Sequence, residues 1–389
     1  MTRHYLDHAS AAPLRPTALE AMLPFLRDHH ADPGRLHAEG RVTRVALENA
    51  REQVGALIGA RPREVVFTRG GTEAANAAAH GAIARAVERG GAPHVVLGAI
   101  EHSCVRESAE RSAALEGGSV TVVGCDTDGV VDPAALADAV RADTALVALQ
   151  VANHEVGSIQ PVAEAVLAVH EAAERCGAEP LVLADAASAV GHIPVDLGAL
   201  GVDLAVVSAH KFGGPKGAGA MFVRRGLRIP PLVLGGAQER ARRAGLEDVP
   251  AMVGFGAAAA EVADTLGAEA ARNAAQCDRI AADAITLAGV LRAGPTDAAR
   301  RLPHLVCLTV EGVEAEPILL ALDQRGIAVH SGSACSSEML EPSPVLLAMG
   351  ADADRSLRIS VGWGTTDADA EAFGPAFADA LSTLRALRG

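Results

Sequence analysis

Two lysines, Lys211 and Lys216, lie five positions apart and are the only lysines among the 34 basic residues of this 389-residue chain. Arginine supplies every other positive side chain. A guanidinium stays protonated, whereas a lysine amine can lose its proton and form an imine with a carbonyl compound. The pair therefore indicates covalent amine chemistry, unless the two lysines merely survived a compositional drift toward arginine.

Residues near Lys211 are suited to binding a phosphate group. Ser208 and His210 directly follow the predicted strand 204–207. Gly71 and Thr72 follow another predicted strand and open a helix, where exposed main-chain amides attract anions. An ordinary strand-to-helix turn explains residues 70–73 as well. Together these groups could hold the phosphate of a cofactor that Lys211 holds covalently.

Asp185 and His102 each follow a predicted buried strand. A buried Asp needs a cationic partner, and a protonated pyridine nitrogen would be one, although capping the following turn is the alternative. An imidazole at position 102 could stack on a flat ring or transfer protons, or it could be structural.

Cys335 lies in the segment 331–337, which consists almost wholly of small, polar residues around one thiol. An accessible cysteine can act as a nucleophile, whereas a buried one is inert. The other five cysteines have apolar or helical surroundings, so Cys335 is the predicted nucleophile. Arg358, between hydrophobic neighbours, could bind a carboxylate with two parallel hydrogen bonds or form a structural ion pair.

Seven short apolar runs alternate with Ala-rich helical stretches through the middle of the chain. The predicted strands are 65–68, 94–99, 120–123, 145–150, 181–184, 204–207 and 219–223. This alternation predicts a mostly parallel seven-stranded sheet of an α/β protein, covered by helices on both faces. Ligands of such sheets bind at the carboxyl ends of the strands.

After Glu247 the pattern changes to a long Ala-rich helix ending near Val290, a strand at 304–310, a helix at 317–325 and a strand at 327–330. This order indicates a smaller α+β domain. We predict a large cofactor-binding domain over residues 14–258. Residues 259–389, together with 1–13, form the predicted small domain that carries the cysteine segment.

The composition excludes several classes of protein. A net charge of −14 argues against binding nucleic acid or an anionic membrane. No apolar run reaches the roughly 18 residues of a membrane span, and the N-terminus does not have the pattern of a secretory signal. The six cysteines are widely spaced without a CxxC pair, which disfavours a disulfide framework or a zinc site. We expect a soluble cytoplasmic protein without a metal.

Taken together, these segments resemble the cysteine desulfurases, pyridoxal-phosphate enzymes of the class V aminotransferase group with the fold-type I architecture. The similarity extends from Tyr5 to Thr366. The matching segments are 70–73, 101–102, 155–157, 160–161, 185–187, 208–211, 213–217 and 333–337. Residues 341–346 are similar to the subgroup with the longer catalytic loop.

The resemblance implies a site for pyridoxal 5'-phosphate and L-cysteine. Lys211 would hold the cofactor covalently, His102 would take part in catalysis, and the Cys335 thiolate would remove the substrate sulfur as a persulfide, leaving alanine. The implied cofactor-binding residues are Gly71, Thr72, His102, Asp185, Ser188, Ser208, His210 and Lys211. The implied substrate-binding residues are Arg358, Asn153 and His154. Such enzymes are usually homodimers that pass sulfur to an acceptor protein.

Several positions depart from the family pattern. His154 replaces an asparagine, Ser188 replaces a glutamine that touches the cofactor's phenolic oxygen, and Leu246 replaces a threonine that reaches the phosphate of the neighbouring subunit. Ala237 replaces a glycine, and residues 32–35 replace the usual Asn-Pro-Ser-Ser. Each lost hydrogen bond would weaken cofactor binding by about 0.5–1.5 kcal/mol.

These departures leave two alternatives beside a cysteine desulfurase. One is a related lyase for a cysteine-like or selenium-containing substrate. The other is a catalytically reduced protein that relays sulfur within a complex. The final destination of the sulfur is open between iron–sulfur clusters, tRNA, DNA and small metabolites.

Overall fold

The computed structural model describes residues 2–90, 92–332 and 342–387. Its strands are β1 (His4–Tyr5), β2 (Val65–Thr68), β3 (His94–Gly98), β4 (Ser119–Val123), β5 (Thr144–Ala148), β6 (Leu181–Asp185), β7 (Leu204–Ser208), β8 (Gly219–Val223), β9 (Val290–Ala293), β10 (Leu305–Val310), β11 (Ile327–Ala328), β12 (His330–Ser331) and β13 (Ser356–Ser360). Its α-helices are α1 (Pro16–Arg27), α2 (Ala38–Leu57), α3 (Gly71–Val87), α4 (Ser103–Leu115), α5 (Pro133–Asp138), α6 (Val162–Cys176), α7 (Leu197–Leu200), α8 (Gln238–Ala241), α9 (Val249–Ile285), α10 (Ala315–Gln324), α11 (Pro344–Ala348) and α12 (Asp367–Ala386).

The largest sheet has seven strands in the order β2-β8-β7-β6-β5-β3-β4. Strand β8 is antiparallel to both of its neighbours, and the other pairings are parallel. Strands β3, β5, β6 and β7 are buried along their whole length, as expected for a sheet covered on both faces. The predicted mostly parallel seven-stranded α/β fold is confirmed.

Alternate residues of the central strands enter two different hydrophobic cores. Val96 and Val147 face one core, whereas Leu97 and Leu146 face the other. The helices that cover the two faces are connected so that β2, β3, β5, β6 and β7 all end at one edge of the sheet. This edge is where the predicted site residues of the large sheet lie.

A second, antiparallel sheet has the order β12-β13-β10-β9. It packs with α12 and the C-terminal half of α9 around a third core, in which Phe373 and Phe377 stack with their ring centroids 5.2 Å apart. The predicted single strand 327–330 is wrong. Its first half, β11, pairs with β1, and its second half, β12, pairs with β13, so the chain changes sheets at Val329.

Helix α9 connects the two parts of the molecule. At 37 residues it is about 55 Å long, and it contributes Phe255 to the core of the large sheet and Ile280 to that of the small one. The predicted domain division after residue 258 falls inside this helix and stays a prediction. Of the described helices, only α9 is long and apolar enough to cross a membrane, and half of its most apolar window is buried inside the protein.

Candidate active site

The carboxyl edge of the large sheet brings together most of the predicted site residues. They lie at or directly beyond the ends of β2 (Gly71, Thr72), β3 (His102), β5 (Asn153, His154), β6 (Asp185, Ser188) and β7 (Ser208, His210, Lys211). Thr72 and His102 line one open cleft of about 580 Å³, so the edge is reachable from solvent. Residues up to 140 positions apart in the sequence therefore meet at one place.

Lys211 lies in a single 3₁₀ turn directly after β7. Its half-buried amine donates a hydrogen bond to the carbonyl of Ala9 (2.6 Å) and reaches that of Ser10 (3.5 Å). The Lys211 carbonyl accepts a hydrogen bond from His192 Nε2 (3.1 Å). Lys216, in contrast, lies in an exposed turn. The two lysines thus differ in environment, and only Lys211 is held at the sheet edge.

The predicted phosphate-binding groups lie close together. Gly71 is the first residue of α3, and a Cβ atom added to it would lie 3.2 Å from Ser208 Cβ, so a glycine allows the helix N-terminus to approach β7. Ser208 Oγ and His210 Nδ1 are 2.9 Å apart. Burial, reinforced by the charges of Lys211 and Lys216, lowers the pKa of His210 to about 4. His210 is therefore neutral at pH 7 and can donate one hydrogen bond to an anion.

Asp185 is the last residue of β6 and is buried. Its Oδ1 accepts the main-chain N–H of Ala187 (2.9 Å), so the turn-capping role considered for this residue is present. Asp185 nevertheless lies at the site edge, because β6 pairs with β7, and its carboxylate could also pair with a cationic ring nitrogen there. The two roles are compatible because a carboxylate has about four lone-pair sites.

Glu101 is a site residue whose importance the sequence did not reveal. Its Oε1 accepts the Gln150 N–H (2.6 Å), and its Oε2 is buried with no hydrogen-bond partner among the described residues. Burial, followed by the negative charge of Asp185, raises the pKa of Glu101 to about 8. At neutral pH the Glu101 carboxyl is therefore largely protonated.

This raised pKa makes a testable prediction about stability. Folding favours the protonated form, so Glu101 stabilises the fold fully below pH 4.5, and this contribution is lost as the pH rises to about 8. We compare the free energy of unfolding of Glu101→Gln with that of the wild type. Between pH 5 and pH 8.5 this difference should shift in favour of the variant by up to about 4 kcal/mol. Urea unfolding of cofactor-free protein at both pH values measures this difference. The exposed Glu107→Gln is the control, and a Glu101→Gln effect that is the same at both pH values would contradict it.

His102 is the N-cap residue of α4. Its Nδ1 accepts the main-chain N–H of Cys104 (3.1 Å) and lies 3.0 Å from Cys104 Sγ. Because Nδ1 serves as an acceptor, the proton of the neutral ring lies on Nε2. The ring also makes an edge-to-face contact with His154, with centroids 4.8 Å apart and an angle of 62°.

Arg358 reaches the same edge from β13 of the small sheet. Its buried guanidinium donates to the His154 carbonyl (3.1 Å), to Asp7 Oδ1 (3.1 Å) and to Ser10 Oγ (2.6 Å). Its Nε is also buried and has no partner within the described ranges. A buried donor without a partner is unfavourable, and a ligand carboxylate would satisfy it.

Asn153, His154 and Ser188 occupy the neighbouring loops. The Asn153 side chain holds its own turn, because Oδ1 accepts the N–H groups of Glu155 and Val156 (both 2.8 Å). His154 is buried beside His102, and half-buried Ser188 lies in the turn after β6. Substrate binding by Asn153 and His154 stays a prediction, as does the cofactor contact of Ser188.

Cys335 lies outside the described residues. The residues that flank its segment are placed: Gly332 donates its N–H to the Ser356 carbonyl (2.9 Å), and Ser343 caps α11 and hydrogen-bonds to Glu155 Oε2. Both flanks are thus anchored next to elements that carry predicted site residues. The role of Cys335 stays a prediction.

The segment with the glycine and threonine departures has an unusual backbone. Glu239, Arg240 and Ala241 all have positive φ (46°, 59° and 60°), a strained conformation for residues with a Cβ. The buried Glu239 carboxylate offsets this strain by binding the Arg51 guanidinium at 2.6 and 2.8 Å and the Phe67 N–H at 2.9 Å. Leu246 follows this turn and is exposed.

The sequence profile of the Aminotransferase class-V family matches residues 4–373. The chain therefore belongs to the class-V aminotransferase family. Among its relatives, the cysteine desulfurase IscS of Dictyoglomus turgidum is 40% identical over 369 residues, covering 94% of this chain and 91% of the relative. The cysteine desulfurase of Rattus norvegicus is 38% identical over 375 residues, covering 94% of this chain and 80% of the rat protein.

Solved structures agree with this assignment. A NifS-like protein superposes with a TM-score of 0.90 at 31% identity, covering 98% of this chain and 100% of that one. The structure described as SspA in complex with cysteine superposes with a TM-score of 0.79 at 28% identity, covering 92% and 98% of the two chains. The predicted resemblance to the cysteine desulfurases is confirmed.

Proposed function

We propose that this chain is a cysteine desulfurase that uses pyridoxal 5'-phosphate, converts L-cysteine to L-alanine and leaves a persulfide on Cys335 for transfer to an acceptor protein. The carrying observation is the meeting of Lys211, Asp185 and His102 at one sheet edge, with Arg358 reaching that edge from the second sheet. The test is release of alanine and sulfide from L-cysteine in the presence of a reductant by purified, yellow protein.

The residues at this edge fit the cofactor. Gly71, Thr72, Ser208 and His210 present a helix N-terminus and neutral polar side chains, which suit a phosphate group. Asp185 supplies the anion for a protonated pyridine nitrogen, and Lys211 supplies the amine for the covalent link. When bound, the cofactor acts as an electron sink for bonds to the substrate Cα.

The protein's own groups would carry out the remaining tasks. Arg358 binds the substrate carboxylate through its Nε, which has no partner among the described residues, and this sets the orientation of the amino acid. His102 holds a proton on Nε2, and the Lys211 amine can accept or donate a proton. In the sulfur transfer, the Cys335 thiolate forms an S–S bond as the substrate Cβ–S bond breaks. The Cβ gains a proton, so alanine leaves and the sulfur remains as the Cys335 persulfide.

Arg358 makes a direct prediction about substrate binding. Arg358→Lys keeps the charge beside Asp7 but loses the fork-shaped donor set and the bond to the His154 carbonyl. We expect KM for L-cysteine to rise about 10- to 100-fold, with a smaller change in kcat. Steady-state kinetics measure both values. Arg279→Lys on the surface of α9 is the control, and an unchanged KM in Arg358→Lys would remove Arg358 from the substrate site.

We also infer a cytoplasmic homodimer. Large exposed apolar side chains cluster on α1 (Leu19, Leu23, Leu26), on and before α2 (Leu36, Val42, Val45) and on the segment 232–246 (Leu234, Leu246). Apolar patches of this kind are typical of subunit interfaces. The five described cysteines are free thiols, which fits a reducing compartment. Light scattering of purified protein tests the dimer.

His154 and Ser188 favour a second candidate function, a lyase for a cysteine-related or selenium-containing amino acid. Both residues change the predicted pocket without altering Lys211 or Asp185. Comparing kcat/KM for L-cysteine with that for L-selenocysteine and other amino acids separates the two functions. A strong preference for a substrate other than cysteine would favour the lyase.

A further inference from the structure

His154 connects two groups of the proposed active site that come from different sheets. Its imidazole makes an edge-to-face contact with the His102 ring, with centroids 4.8 Å apart, and His102 caps α4, which follows β3 of the large sheet. Its main-chain carbonyl accepts a hydrogen bond from Arg358 of the small sheet (3.1 Å). Its Nε2 lies 3.4 Å from Glu155 Oε1. One buried residue therefore contacts both the proposed proton carrier and the proposed carboxylate-binding group.

The two imidazoles of this pair are not equivalent. His102 Nδ1 accepts a hydrogen bond from the Cys104 N–H at the start of α4. A proton added at Nδ1 would break this bond and would point at the N–H donor. His154 has a carboxylate oxygen next to Nε2, so a proton there gains an ionic partner. A single proton shared by the pair is thus favoured on His154.

Charged and titratable groups from several elements lie near this pair or near its direct partners. They are Glu101 from the β3–α4 connection, Asp185 at the end of β6, Glu155 from the same loop, Cys307 from β10, and Arg358 from β13 with Asp7 as its counter-ion. Asp7 already balances the positive charge of Arg358. The carboxylates of Glu155 and Asp185 are therefore available to balance a positive charge on the imidazole pair. The surroundings can therefore accept one imidazolium, but two at 4.8 Å would repel each other strongly.

We propose that His154 is a positioning residue that takes up the proton of the pair and thereby keeps His102 in its neutral, Nε2-protonated form during catalysis. This inference rests on the proposed desulfurase function, in which His102 acts at the cofactor. An asparagine at position 154, the residue usual in the family, could hold the Arg358 contact through the same main-chain carbonyl. Only an ionisable side chain could keep the neighbouring ring neutral as the pH falls.

The effect appears as a change in pH dependence. Without an ionisable group at position 154, the repulsion that a neighbouring imidazolium exerts on a charged His102 ring is removed. For His154→Asn we expect the acidic limb of the kcat/KM profile to move up by about one pH unit. Activity then falls about tenfold relative to wild type at pH 6 and by less than about threefold at pH 8.5.

His154→Phe separates the proton from the packing. Phenylalanine keeps an aromatic edge against His102 and the main-chain bond to Arg358, but it cannot ionise. We expect the pH profile of His154→Phe to match that of His154→Asn. Exposed His170 on α6 provides the control, and His170→Asn should keep the wild-type profile.

An NMR titration of the cofactor-loaded protein with ¹³C,¹⁵N-labelled histidine gives a second measurement that does not depend on turnover. The His102 resonances should stay in the Nε2–H pattern down to a lower pH in the wild type than in either His154 variant. Unchanged His102 titration in both variants would overturn the inference, as would His154→Phe behaving like the wild type. A wild type that does not act on cysteine would contradict the proposed function alone, and the titration would still decide the role of His154.

Discussion

Lys211→Ala should remove both the yellow colour and the activity. The chain has one other lysine, Lys216, whose side chain is exposed in a turn that follows Lys211 by five positions, and we expect it not to replace the lost amine. Arginine, the chain's usual cation, cannot serve because it stays protonated. We expect alanine formation from L-cysteine to fall by at least about 10³-fold, since covalent attachment and proton transfer are lost together.

The measurement combines absorbance spectra with an alanine assay. Lys216→Ala is the matched control and should keep the spectrum and at least about half of the activity. Borohydride reduction followed by peptide mass spectrometry should place the cofactor on the peptide that contains Lys211. Turnover by Lys211→Ala close to the wild-type rate, or a cofactor attached at Lys216, would contradict the assignment.

The positions of Lys211, Asp185 and His102 could be predicted from sequence because they depend on a local rule. Each follows an apolar run that is buried on both faces, and parallel strands bring their carboxyl ends to one edge. The chain order of strands and helices therefore determines which residues meet. The prediction of one strand at 327–330 was wrong for the opposite reason. The division of this segment between two sheets depends on β1 and β13, which are distant in sequence.

The electrostatics of the site could not be predicted in the same way. The pKa of Glu101 depends on burial and on Asp185, 84 positions away, and no local pattern reveals either. His192 and His304 stack with ring centroids 3.4 Å apart behind Lys211, although 112 positions separate them. The sequence predicts that Arg358 either binds a carboxylate or forms an ion pair. In the structure its guanidinium pairs with Asp7, and its Nε has no partner in the part of the chain that is described.

The environments of the described cysteines support Cys335 as the proposed nucleophile. Cys277 and Cys307 are fully buried, and burial raises the pKa of each thiol to about 12. Burial also raises the pKa of Cys125. A thiol with a raised pKa holds almost no thiolate at neutral pH, and the thiolate is the nucleophile. Cys104 is also near the site edge, since its Sγ lies 3.0 Å from His102 Nδ1. An experiment must therefore distinguish Cys104 from Cys335 as the nucleophile.

Cys335→Ala should separate sulfur transfer from cofactor binding. Because the substituted residue does not hold the cofactor, the protein should stay yellow, in contrast to Lys211→Ala. Alanine formation should nevertheless fall by at least about 10³-fold, since no thiolate takes the substrate sulfur. Cys176→Ala on α6 is the control and should keep full activity. After one turnover without reductant, mass spectrometry of the wild type should find one added sulfur atom (about 32 Da) on the Cys335 peptide. A persulfide on the Cys104 peptide, or sulfide release by Cys335→Ala at the wild-type rate, would make Cys335 the wrong nucleophile and leave the thiol beside His102 as the sulfur acceptor.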